Sequence, residues 1–237
     1  MKIGLFGDSY IDLVWHRYPG YQVPQKDKPW CMRLLEHYNS PVISSGLGGS
    51  NQYYAIKEWL SYIRSSSELD YAIFTFTWAN RLYHSNPRTN EIICLRNVLK
   101  DQPDLPPNEK LTIEAADNYY NFLYDQAQHD FNFELQVKWI LDLPEKYHNI
   151  KFIFLPNSEE SRAIALKYFK NGILLNFAFS SISALEGEIV NQYPFIENKI
   201  GHLTEQNHER FKNKMVDIID KNVYNTIIDI NYEEFKL

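Results

Sequence analysis

Short, wholly apolar runs alternate along the chain with longer stretches of helical periodicity. Ile3–Phe6 is apolar and stops abruptly at Gly7-Asp8-Ser9. Tyr71–Thr77, Lys151–Leu155 and Ile173–Phe177 are nearly all β-branched, aromatic or apolar, as strands covered on both faces should be. Pro41–Ser45 reads as another strand, and Thr226–Ile230 adds a short one near the end. Between these runs the repeat changes. Cys31, Leu34, Leu35 and Tyr38 fall at i, i+3, i+4 and i+7, predicting a helix over Pro29–Tyr38. Ile56, Trp59, Leu60 and Ile63 share one face of the next helix. A long helical region is predicted over Ile113–Tyr147, interrupted near Asp130. Ser158 suits a helix N-cap and Asn171-Gly172 a helix end. A last helix, from Thr204, puts His208, Phe211, Met215 and Ile218 on one face.

The first five of these strands, interleaved with helices, predict a parallel three-layer α/β/α sandwich. Such sheets bind ligands beyond the carboxyl ends of their strands. Attention therefore falls on Gly7-Asp8-Ser9, on Gly46–Ser50 and on Trp78–Arg81. Residues 81–113 hold four prolines and many polar groups, predicting a functional loop or lid. No linker or repeat divides the chain, so 1–237 reads as one domain.

The formal charge of −6, with no basic cluster, argues against a nucleic-acid partner. No apolar stretch approaches the ~20 residues of a membrane helix, and Ile3 follows too closely on the start for a signal peptide. A soluble cytoplasmic protein is expected. Cys31 and Cys94 stand apart, without a CxxC pair, and are read as two free thiols.

Cleaving an ester with a serine requires a nucleophile, a base, donors for the oxyanion and a group that holds the base. Ser9 is the candidate nucleophile, with Gly7 permitting a sharp turn and Asp8 able to tie that turn down. Gly49 offers a backbone N–H near a helix start, and Asn80 a side-chain amide just past a strand. His202 is the candidate base; its competitor His208 lies on an apolar helix face and reads as a core-edge histidine. Each feature alone also suits a turn, a cap or a loop. Their common placement at strand exits is what joins them. No metal-ligand spacing and no GxSxG elbow occurs.

In this order the blocks "FGDSYID", "SSGLGGSN", "FTFTWANRLY" and "GHLTEQNHERF" resemble those of the SGNH hydrolases, the GDSL esterase/lipase superfamily. The likeness spans residues 3 to about 219. It implies a flavodoxin-like sandwich with a five-stranded parallel sheet, and no metal or organic cofactor. It implies Ser9 as nucleophile, His202 as general base, and the Ser9 N–H, Gly49 N–H and Asn80 amide as the oxyanion hole. The usual Gly-x-Asn-Asp block is here Trp78-Ala79-Asn80-Arg81, so Trp78 or Arg81 can shape the pocket. The usual aspartate three residues before the histidine is Lys199, with Glu197 and Asn198 just upstream. Either Ser9 and His202 work as a dyad, with a backbone carbonyl or Asn198 orienting the imidazole, or a distant carboxylate substitutes for the aspartate. Pairing Glu205 with His208 restores the acid-x-x-His spacing, but both fall inside the last helix.

The expected activity is hydrolysis of short acyl esters, with an O-acetylated carbohydrate as first substrate class. Trp15, Tyr18, Trp78 and Tyr83 supply aromatic surface for a sugar ring, and Arg81 and Arg88 could receive an anionic group. Two alternatives use the same residues: an O-acyltransferase, in which a sugar hydroxyl replaces water, and a binding or structural module with a decayed site.

Overall fold

Alternate residues of the strands point to opposite faces of the sheet, and the two faces are built differently. A computed structural model describes residues 1–13, 28–44, 46–47, 50–65, 68–78, 81–82, 89, 92–93, 99, 105–185 and 203–236. Its five strands are β1 (Ile3–Phe6), β2 (Tyr71–Phe76), β3 (Lys151–Pro156), β4 (Ile173–Asn176) and β5 (Thr226–Asp229). They pair in parallel and in chain order, β1-β2-β3-β4-β5.

One face carries a row of rings. Phe6 pairs in register with Phe74, Phe74 with Phe154, and Phe154 with Leu174. The Phe6 and Phe74 rings stack at 5.0 Å, and Phe76 stacks on Phe154 at 5.9 Å. Helices α2 (Gln52–Ser65), α4 (Gln126–Leu141) and α5 (Glu159–Tyr168) cover this face. Trp59 of α2 meets Phe6 edge-on at 5.3 Å, an arrangement aromatic quadrupoles favour. The opposite face is largely aliphatic, with Ile3, Leu5, Ile73, Ile153, Leu155, Ile173 and Leu175. Helices α1 (Trp30–His37), α6 (Phe179–Leu185) and α7 (Glu205–Asp220) contribute to its core. A parallel sheet with both faces covered is the three-layer α/β/α sandwich, consistent with a flavodoxin-like fold. Helix α3 (Pro107–Phe122) stands aside, packing Ile113 with Ile92, Leu99 and Leu105. Among the described residues no helix is long and apolar enough to cross a membrane.

Caps fix several boundaries. Ser158 and Ser161 form a reciprocal capping box on α5, and the Thr204 hydroxyl accepts from Asn207 N at the start of α7. The break in the 113–147 region falls at Leu123–Asp125 rather than near Asp130. The Asp125 carboxylate accepts from Gln128 N and starts α4, leaving Asp130 inside the helix. Helix α3 begins at Pro107, so the end of the expected 81–113 loop is helical. Helix α6 likewise occupies part of the region expected to be loop after Phe177.

The expected strand at 41–45 is not formed over 41–44. Pro41 has no N–H for a ladder. Instead the Ser40 hydroxyl accepts from Ile3 N at 2.9 Å, and Leu47 N donates to Gly7 O at 3.1 Å. The segment is thus tied to both ends of the free edge of β1. The fifth strand is β5.

Candidate active site

The carboxyl ends of β1, β2 and β3 lie side by side, and six fully buried polar side chains collect there: Asp8, Ser50, Gln52, Thr75, Thr77 and Asn157. Polar groups at such depth pair with one another, and here they do so except at Asn157 Oδ1. Asp8 is the centre. It is 1% exposed, and both carboxylate oxygens are occupied twice. Oδ1 accepts from the Thr75 hydroxyl at 3.1 Å and from Tyr10 N at 3.3 Å. Oδ2 accepts from Arg81 Nη1 at 3.2 Å and from the Asn157 amide. Asp8 N in turn donates to Thr75 Oγ1 at 3.1 Å.

One carboxylate therefore joins four pieces of chain: the turn after β1, the inward face of β2, the segment after β2, and the first residue after β3. With its acceptor positions filled by donors from the protein, the Asp8 carboxylate serves as an anchor for these segments and leaves no position for a substrate proton. Asn157 is held at both backbone ends, N to Phe76 O at 2.8 Å and O from Ser180 N at 2.9 Å.

A second layer joins the start of α2 to the same place. The Ser50 carbonyl accepts from Thr77 Oγ1 at 3.3 Å and Arg81 Nη1 at 3.4 Å. The Gln52 amide spans β2, donating to Thr75 O and accepting from Thr77 N.

The turn is a 3-10 helix over Ser9–Ile11, closed by Ile11 N donating to Asp8 O at 3.2 Å. Ser9 opens it. Two glycines make room for this crossing. A Cβ on Gly7 would lie 1.9 Å from Thr75 Oγ1, and one on Gly46 2.0 Å from Asp8 O. Sequence reasoning credits Gly7 with a sharp turn. The structure requires it for close approach, since Gly172 is the glycine with positive φ among the described residues.

The residues named from sequence divide as follows. Asp8, Trp78 and Arg81 come together: the Arg81 guanidinium lies 4.3 Å over the Trp78 ring while bonding Asp8. One Arg81 nitrogen is thus already engaged by the protein. Gly49, Asn80, Asn198 and His202, with Glu197 and Lys199, lie outside the described residues. So do Trp15, Tyr18, Tyr83, Arg88 and Cys94.

His208 is buried, and its Nδ1 accepts from Trp30 N at 3.1 Å, which places a neutral ring's proton on Nε2. Trp30 Nε1 donates to Tyr10 O at 3.0 Å, so His208 braces the turn from behind. Burial pushes the Cys31 thiol well above its usual range.

Thr75 and Asn157 were not found from sequence, yet both leave a trace there. Thr75 is the polar member inside the apolar run YAIFTF, and Asn157 is the polar residue where KFIFLP ends. Among the described residues no group of three or more His, Cys, Asp or Glu side chains could hold a metal ion. The chain matches no family model, and no curated protein matches it.

Proposed function

We propose that the chain is a serine esterase of the SGNH type, acting on short acyl esters, with O-acetyl groups of carbohydrates as the first substrate class. The observation that carries this reading is the Asp8 anchor. It makes the turn opened by Ser9 rigid, at the edge of the sheet where parallel α/β proteins do chemistry. A nucleophile must be held within a fraction of an ångström, and a buried carboxylate bonded from three strand exits is a means of doing that.

In the proposed reaction His202 takes the Ser9 proton as Oγ attacks the ester carbonyl. The Ser9 and Gly49 N–H groups and the Asn80 amide receive the oxyanion. His202 then protonates the leaving alcohol. Water, activated by the same imidazole, releases the acid from the acyl-enzyme.

The test is covalent labelling with a fluorophosphonate probe, wild type beside Ser9→Ala and His202→Ala. Wild type is expected to label and both variants to stay dark. A folded wild type that does not label overturns the reading, as does undiminished labelling of Ser9→Ala. Acetate release from acetylated xylan then tests the substrate class.

A further inference from the structure

Arg81 occupies the position after the candidate oxyanion asparagine. Its Nη1 donates both to Asp8 Oδ2 at 3.2 Å and to the Ser50 carbonyl at 3.4 Å, with the guanidinium plane resting on Trp78. The two ends of the ion pair come from different strand exits and are 73 residues apart in sequence. Asp8 is 1% exposed and the Arg81 side chain 15%, so water does little to screen the pair.

We propose that Arg81 is a positioning residue, acting through Asp8 to fix the Ser9 turn against the chain segment that carries Asn80. The inference rests on the esterase reading for its catalytic consequence. Asp8 Oδ1 holds Tyr10 N, and Asp8 O holds Ile11 N, so the carboxylate and the turn move as one unit. Arg81 holds the other carboxylate oxygen and is the backbone neighbour of Asn80. The Ser9 turn and the segment that follows β2 are thereby tied together through this ion pair. A lysine cannot reproduce this. Its ammonium can reach the same two oxygens, but it has no planar face to lay on the indole.

The test uses the full chain, with Arg81→Met and Arg81→Lys beside wild type, and two readouts. The first is native-state amide exchange at Tyr10 and Ile11. Protection there is expected to fall roughly tenfold or more in Arg81→Met, beyond any change at Ile73 in β2. The second is turnover of p-nitrophenyl acetate. For Arg81→Met, kcat is expected to fall roughly 10- to 100-fold with KM within about twofold of wild type. Arg81→Lys should lie between the two, and added guanidinium ion at non-denaturing concentration should restore part of the Arg81→Met loss.

Wild-type protection at Tyr10 and Ile11 in both variants overturns the proposal. A fall in kcat with unchanged protection also overturns it, because Arg81 then acts on the substrate and not on the turn. If Arg81→Met does not fold, Arg81→Lys carries both readouts. If wild type neither labels nor hydrolyses the ester, the esterase reading fails. The exchange result still decides whether Arg81 holds the turn.

Discussion

Replacing Asp8 by alanine removes the shared acceptor of four donors: the Thr75 hydroxyl, Tyr10 N–H, the Asn157 amide and the Arg81 guanidinium, the last keeping only its bond to the Ser50 carbonyl. Breaking a buried ion pair from one side costs about 3–5 kcal/mol, because the remaining charge keeps its desolvation penalty. Each further donor left unpaired in the interior costs about 1–3 kcal/mol. These terms do not add in full. Alanine leaves a polar cavity in which a water molecule can bridge several donors. We therefore expect Asp8→Ala to lose about 3–5 kcal/mol, a large part of the ~5–15 kcal/mol that stabilises a typical domain. Asp8→Asn keeps the shape but turns an amide hydrogen toward donors, and should cost about 1–3 kcal/mol. Urea unfolding reads both, as a lower midpoint at unchanged m. In a chain of this size the alanine variant should also melt on the order of 10 °C lower. The reasoning is refuted if Asp8→Ala loses under ~1 kcal/mol, the value of a carboxylate already in contact with water.

Gly46→Ala should fold poorly or lose several kcal/mol, because its Cβ would sit 2.0 Å from a backbone carbonyl that is itself bonded to Ile11 N; a melting curve within ~2 °C of wild type would contradict this. His208→Ala should lose about 1–3 kcal/mol by stranding Trp30 N–H, while still labelling with the fluorophosphonate below its melting point. Loss of labelling in folded His208→Ala would instead place that histidine in the chemistry. The Glu209 carboxyl is held below its ordinary value of 4.5 by hydrogen bonds from Lys212 and then Arg33. Its stabilisation is therefore present above pH 4.5 and is lost as pH falls through the lowered folded value. Wild type should exceed Glu209→Gln by no more than ~1 kcal/mol at pH 7, and chemical denaturation should show the gap closing as pH falls below 4.5. In a Cys94→Ser background, Cys31 should resist a thiol reagent until the protein unfolds, being buried with its thiol shifted up.

Much of the sheet was legible because its strands are apolar on both faces. Ile3–Phe6, Tyr71–Phe76, Lys151–Pro156 and Ile173–Asn176 differ from their expected bounds by no more than one residue. Pro41–Ser45 misled because its composition suits a strand, whereas the missing Pro41 donor and the Ser40 hydroxyl are matters of hydrogen bonding. The helix break moved because Asp125 caps better than Asp130, a contest decided by which carboxylate meets a free N–H. At the site, Asp8 and Arg81 were found as neighbours of interesting residues, not as partners. Their pairing spans 73 positions and depends on which strands lie adjacent. Thr75 and Asn157 escaped notice for the same reason, since a polar residue in an apolar strand announces burial but not its partner.

The strand order has a consequence for how the chain is made. Because β1 to β5 are laid down in the order in which they are joined, each strand leaving the ribosome can dock on the exposed edge of the one before it. No later strand has to be threaded between two earlier ones. Asp8 is synthesised before all four of its partners, and the last of them, Asn157, arrives only with the end of β3. Until then the carboxylate, whose ion-pair partner Arg81 is made soon after β2, lacks one of its four donors at the edge of a growing apolar sheet. That open acceptor position disfavours premature closure of the site and is filled by the Asn157 amide once the third strand is in place.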